Sequence, residues 1–314
     1  MTHTRGRRFS GTLMGALSIA AMLFFATATT ANAQKSYASA EAAVDALIKA
    51  VRDGDKDAIL VVLGRGASDI VSSGDAVADA TTRKEFIAAY DAKHQITTEG
   101  DKKATMIIGQ EDFPFPIPLV RDDGNWKFDT AAGREEILFR RVGRNELDVI
   151  ESCLAYVDAQ NEYADADRTG AGKGVYAQRI VSSPGKKDGL YWPDATGKDA
   201  SPLGEFVAMA TNQGYRVGGG RTPFHGYYFK ILTQQGSAAS GGELDYVVHG
   251  KMIGGFALVA YPAEYRNSGV MTFIVNHAGV VYQKDLGPQT AKLAEKMTSF
   301  NPDGTWKAVP SSSN

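Results

Sequence analysis

Between residues 39 and 53, Ala43, Leu47, Ala50 and Val51 recur at intervals of three and four, the period of one helix face. Ser39 is placed to cap this helix and Gly54 to close it. Asp57 to Leu63 predicts a second short helix before Gly64. Thr81 or Thr82 is placed to cap a third, with Phe86, Ile87 and Tyr90 as its apolar side. Then the period changes. Thr105 to Ile108 is short and rich in β-branched residues, and the prolines within Phe115 to Val120 push their predecessors into extended backbone. Asp122-Asp-Gly-Asn125 predicts a turn, and Trp126-Lys-Phe128 a returning strand.

The longest helical stretch spans 131–166, capped from Asp129 or Thr130, with Gly143 as the expected break or bend. Within it Leu147, Ile150, Leu154 and Val157 form one apolar stripe, expected to lie against a sheet. Cys153 and Tyr156 sit beside it, and Cys153 reads as a small buried hydrophobe. A short helix is predicted over Leu203–Gln213 from Ser201-Pro202. Gly218-Gly-Gly220 is a loop without the strand, spacing and lysine of a phosphate-binding loop. The last third alternates in strand fashion over Gly226–Leu232, Asp245–Val248, Gly255–Tyr261, Val270–Asn276 and Val280–Lys284, with His277-Ala-Gly279 as a tight hairpin connection. Helices followed by antiparallel strands, twice over, predict the α+β class, with the second half a helix on a meander sheet in two layers.

The N-terminal segment is different in kind. Arg5, Arg7 and Arg8 precede an apolar run from Leu13 to Ala28, and Ala31-Asn32-Ala33 supplies a small-x-small site before Gln34. This predicts a secretory signal peptide over 1–33. The polar Thr27, Thr29, Thr30 and Asn32 shorten the run below the roughly 20 residues that a membrane span prefers. Arg7-Arg8-Phe9 is one residue short of twin-arginine spacing, so the export route is open. The expected organisation is a signal peptide (1–33), an N-terminal α+β domain (34–130), a second α+β domain (131–309) and a polar tail (310–314). The location is periplasmic or extracellular, with no stable membrane span in the mature form.

Charge narrows the partners. The chain has 34 basic and 36 acidic residues, and without the three leader arginines the body stands at 31 against 36, or −5. A mildly acidic body offers no electrostatic footprint for nucleic acid. One cysteine excludes an internal disulfide framework and a cysteine-cluster zinc site.

Three family likenesses follow from particular motifs. Ala42-Ala-Val44 through Arg52-Asp-Gly-Asp55, then Ile117-Pro-Leu-Val120 and Gly124-Asn-Trp-Lys-Phe128, resemble the nuclear-transport-factor-2-like superfamily, which implies a conical pocket under the sheet. Asp129–Glu136, Gly143–Glu146, Tyr156–Gln160, Asp188–Pro193, His225–Leu232 and Gly269–His277 together resemble the secreted bacterial domain-of-unknown-function family 2950, over nearly everything after Gln34. That resemblance implies a secreted two-part protein and no known activity. The second half is also similar to the globular part of type IV pilins and pseudopilins, through Ala159-Gln160, Tyr163, Gly174–Ala177, Gly226–Ile231, Ala260–Pro262 and Gly269–Val275. It lacks an N-terminal assembly helix, so the likeness implies a fold and not polymerisation.

Chemistry-bearing residues are sparse. His225, His249 and His277 fall near strand starts or turns, with no local metal spacing between them. No Gly-x-Ser-x-Gly element occurs. Aromatic residues are more suggestive: Tyr191, Trp192, Tyr227, Tyr228, Tyr246 and Tyr265 cluster in one third of the chain and form a candidate interaction surface if one sheet face is open. The leading expectation is therefore a non-enzymatic envelope protein, an interaction or structural module accessory to a pilus-like or secretion assembly, with envelope protein partners and no cofactor. The rival is a periplasmic hydrolase or small-ligand binder using the N-terminal pocket or a histidine–carboxylate cluster. A pocket with converging polar side chains favours the rival; an exposed tyrosine-rich sheet face favours the first.

Overall fold

The computed structural model describes residues 34–194, 199–216 and 222–310. The leader of residues 1–33, the glycines at 218–220 and residues 311–314 of the tail lie outside the described residues. Helix α1 (Ala40–Asp53) starts where the Ser39 hydroxyl accepts the Ala42 N–H and stops at Gly54, whose φ of +66° suits glycine. Helix α2 (Lys56–Leu63) is capped by Asp55, and a single turn, α3 (Ser68–Val71), follows. Helix α4 (Ala76–Ala92) begins earlier than a Thr81 or Thr82 cap would place it. Asp75 accepts the N–H groups of both Val77 and Ala78, and this carboxylate cap leaves the two threonines inside the helix.

Five strands then build an antiparallel sheet: β1 (His94–Glu99), β2 (Lys103–Ile108), β3 (Phe113–Pro114), β4 (Leu119–Asp122) and β5 (Asn125–Phe128). Their order is β1-β2-β4-β5, with β3 pairing the far end of β2. Alternate residues Ala104, Met106 and Ile108 turn inward and meet Val44, Leu47 and Ile48 of α1 in the first core.

Helix α5 (Thr130–Ala164) is 35 residues long and passes through Gly143 without interruption. The expected stripe along it is buried only in part: Val157 lies in the second core and Ile150 packs against it, but the two leucines do not. Leu147 is 65% and Leu154 42% exposed, while Val149, Cys153, Tyr156, Gln160 and Tyr163 are buried. The reason lies in two polar residues that hydropathy assigns to the outside. Tyr156 donates to the Ala257 carbonyl at 3.2 Å. Gln160 exchanges two hydrogen bonds with the backbone of Ala177, each 2.8 Å. With their polar atoms satisfied, these long side chains bury their apolar bodies and turn the helix's other side to the sheet.

The second sheet orders as β15 (Lys307–Ala308), β13 (Tyr282–Asp285), β12 (Met271–Asn276), β11 (Ala257–Pro262) and β6 (Tyr227–Leu232), antiparallel throughout. The expected strand over 245–248 divides at the buried Tyr246. Here β8 (Leu244–Asp245) pairs with β7 (Gln234–Gln235), whereas β9 (Val247–Val248) pairs with β10 (Lys251–Met252). Helix α6 (Gly204–Asn212) starts after Leu203 without a side-chain cap from Ser201. The sheet has three layers around it rather than two. Helix α5 packs on β11 and β12 from one side, and the C-terminal helix α7 (Thr290–Lys296) packs on β11. Lys230 donates to the last carbonyls of α7, at Ala294 and Glu295. Strand β14 (Ser299–Phe300) pairs with β7 and adds the buried Phe300. Every residue of β11 is consequently buried.

The described residues, from Gln34 to Pro310, form one compact unit containing two cores, and α5 reaches both. Its first turns lie on the first core, where a Cβ at Gly133 would stand 2.5 Å from the Pro116 carbonyl oxygen and 2.7 Å from Ile117 Cα. Backbone atoms cannot give way as a flexible side chain would. Gly133→Ala is expected to cost about 1–3 kcal/mol in denaturant titration, the range for overpacking; a variant as stable as the parent would place the start of α5 away from this edge.

Candidate functional site

Between the first core, taken with its helices and sheet as the first module, and the start of the second, built on the second core, lies a cavity of about 560 Å³, within the usual range for small-molecule sites. Its inner wall is apolar. Leu47 and Ile59 reach it from the helix pair, Phe86 from α4, Ile108 and Phe115 from the sheet and Ile137 from α5. Its polar lining carries both signs, Arg83, Arg140, Arg141 and Arg144 with Asp79, Glu85 and Asp148, beside His225.

Arg141 is structural. It donates to the carbonyls of Asp69 and Ile70 and to Asn267 Oδ1, tying the α3 turn and the loop before β12 to α5. Burial pulls its guanidinium pKa down, and the nearby Asp79, Asp69 and Glu264 oppose that loss. Arg140 is bonded to Glu136 and lies over the Phe113 ring at 4.5 Å. Arg83 and Arg144 have no hydrogen bond or ion pair among the described residues, yet both line the cavity.

A buried carboxylate fixes the other rim. Asp75 is 1% exposed. One of its oxygens caps α4, and the other accepts from the Tyr215 hydroxyl at 2.9 Å and the Gly226 N–H at 3.0 Å. The Tyr215 hydroxyl in turn accepts the His225 N–H at 3.2 Å. Burial and the adjacent Asp75 push the Tyr215 hydroxyl pKa far above its ordinary value. His225 holds a φ of +49° and sets its Nδ1 3.0 Å from Asp148 Oδ2. A residue from each module and a residue of α5 thus converge on one rim.

The other two histidines lie elsewhere. His249 is exposed in the turn between β9 and β10, with a φ of +49°. His277 is exposed in the hairpin after β12, its ring edge-on to Tyr246 and Phe256, and burial of part of the ring lowers its pKa. Among the described residues no group of three or more His, Cys, Asp or Glu is placed to hold a metal.

The expected aromatic surface is mostly interior. Trp192, Tyr227 and Tyr246 are buried. The Trp192 indole donates to the Asp199 carbonyl, Tyr227 to the Met271 carbonyl and Tyr246 to Gln235. Tyr191, Tyr228 and Tyr265 are half-buried; Tyr228 packs on Tyr261, and Tyr265 donates to Asp285. The three buried side chains lie at different places, Tyr227 on the α5 side beside Glu146, Trp192 beside Arg168 and Lys187, and Tyr246 edge-on to His277, and each buried polar tip finds a partner. Cys153 is buried as expected, and desolvation pushes its thiol up to about 12.

Asp75, Asp148, Tyr215 and the arginines were not singled out from sequence. Two signals were available: Ser-Gly-Asp75 before an Ala-rich helix is a capping pattern, and Arg140-Arg-x-x-Arg144 places two guanidinia one helical turn apart.

Asp75→Ala removes two cap bonds and strands the Tyr215 hydroxyl and Gly226 N–H. The expected cost is about 2–4 kcal/mol in denaturant titration, and a loss below about 1 kcal/mol would detach Asp75 from the rim's integrity. Cys153 stays protonated at pH 8, so native protein is expected to resist iodoacetamide and to react only when unfolded; rapid alkylation of folded protein would contradict its burial.

No curated protein and no solved structure matches the chain significantly. A family model does match, over residues 34–309, and on that extent the chain belongs to the family described as "Protein of unknown function (DUF2950)".

Proposed function

We propose that this protein is a non-catalytic exported binding protein for an amphiphilic small molecule, one with an apolar body and a single anionic head. The observation that supports this reading is the cavity itself: a largely apolar wall and two guanidinia in its lining, Arg83 and Arg144, that make no hydrogen bond or ion pair among the described residues. The wall favours an apolar body through burial, and a guanidinium matches a carboxylate or phosphate in a two-pronged hydrogen bond. Export is proposed from the leader pattern, and the family match begins at Gln34, just after the small-x-small site.

Binding is favoured over hydrolysis by the surroundings of His225. Its ring pairs with Asp148, but no serine, threonine or cysteine among the described residues is hydrogen-bonded to that ring. A dyad without a nucleophile orients a ligand or a water and does not form an acyl-enzyme. The interaction-module reading loses its main support with the burial of Trp192, Tyr227 and Tyr246.

Isothermal titration with dodecanoate tests the proposal, with dodecanol as the uncharged comparison. One-to-one binding of dodecanoate is expected, with Arg83→Gln/Arg144→Gln weakening it about tenfold or more while dodecanol is unaffected. Ala78→Trp, which fills the cavity, is expected to abolish both. Absence of any binding, or binding indifferent to both variants, would overturn the reading.

A further inference from the structure

Helix α5 leaves one face bare. Phe139 is 76%, Leu147 65% and Leu154 42% exposed. Gly143 is exposed between them, and Ile150 is half-buried. Positions 139, 143, 147, 150 and 154 are separated by three or four residues, so they form one continuous strip on the helix. At 1.5 Å per residue the strip runs for about 22 Å. Single exposed apolar residues are ordinary, whereas an aligned row of them marks an interaction site. Phe139, Leu147 and Leu154 belong to neither core, and Ile150 reaches the second core from the edge of the row.

Its charges say what covers it. Arg140, which also bonds Glu136 one turn earlier, and Arg144 flank the strip in its N-terminal half, and Glu151 and Asp158, both exposed, flank it in its C-terminal half. The distribution is self-complementary only when the helix is reversed. We infer that α5 pairs with α5 of a second copy, antiparallel across a two-fold axis. An axis passing midway between Asp148 and Val149 sets each Leu147 opposite Ile150 of the other copy. The same axis sets each Leu154 over Gly143, where no atom lies within 4 Å of the Cβ position. Arg140 then lies within one residue of Asp158 of the second copy. A parallel pair would instead align Arg140 with Arg140 and Asp158 with Asp158. The alternation of three and four is the spacing of a helix-pairing seam, and glycine opposite leucine gives a knob its hole. The isologous arrangement is the commonest form of homodimer. A contact of this length falls at the small end of specific interfaces, so the dimer is weak, with Kd on the order of micromolar.

Sedimentation velocity over the micromolar range tests this on the folded unit from Gln34 onward. A concentration-dependent monomer–dimer equilibrium is expected. Leu147→Arg should be monomeric throughout with an unchanged thermal midpoint, because the residue contacts no core. Asp158→Arg should weaken association about tenfold, two symmetry-related pairs having become repulsive. Arg140→Glu combined with Asp158→Arg should restore it to within about threefold. A parent protein that is monomeric throughout would overturn the inference and leave the strip to a different partner. So would a Leu147→Arg variant that still dimerises, or a double variant that fails to recover.

Discussion

Everything in this molecule is referred to one unbroken helix. At 35 residues α5 is about 50 Å long, more than either core needs. Its first turns press on the Pro116–Ile117 edge through Gly133, and its last turns bury Cys153, Tyr156 and Gln160 against the second sheet. Between those ends, Arg141, Asn145 and Glu146 are spent on tethers. Arg141 holds the α3 turn, Asn145 donates to the Ser268 carbonyl, and Glu146 accepts the N–H groups of Val270 and Met271. Each tether satisfies backbone groups that would otherwise be unpaired where two modules meet. The helix therefore carries the relative placement of the modules, and the cavity between them inherits that placement.

The cavity follows from incomplete packing against that helix. Helix α4 buries only Asp79 and Tyr90 among its 17 residues; Tyr90 joins the first core and Phe86, Ile87 and Ala89 pack against it only in part. Asp75 pins its N-terminus to Tyr215 and Gly226 of the second module, and Asp79 accepts the Ser73 N–H. A polar clamp at one end and a loosely packed shaft leave apolar surface from α1, the sheet and α5 facing an open volume. Such a volume costs stability unless something fills it, which is the physical motive for reading it as a site.

The sequence was most informative where one residue type decides the outcome locally. Ser39 and Gly54 bound α1, and the turn at 122–125 joins β4 to β5. The helix-and-strand composition of both halves was likewise legible. It was least informative where tertiary partners decide. Leu147 and Leu154 follow a core period yet face outward, because Tyr156 and Gln160 found backbone partners on the other side. Tyr227 and Tyr246 could not be assigned to core or surface without partners remote in sequence, Glu146 and Met271 for Tyr227 and His277 for Tyr246. The rim residues Asp75, Tyr215, His225 and Asp148 come from four separate segments. No spacing rule joins them, and only the passage of α5 between the modules does.

The proposed occupant of the cavity is an anionic amphiphile. Native mass spectrometry of the protein isolated under non-denaturing conditions from cells that produce it addresses this without a chosen probe. The account predicts a bound species of a few hundred daltons, about one per chain, released in organic solvent as an acid and absent from Arg83→Gln/Arg144→Gln protein of unchanged stability. Protein that flies only at its bare mass, from every preparation and with the cavity still open to dodecanoate-sized probes, would contradict it.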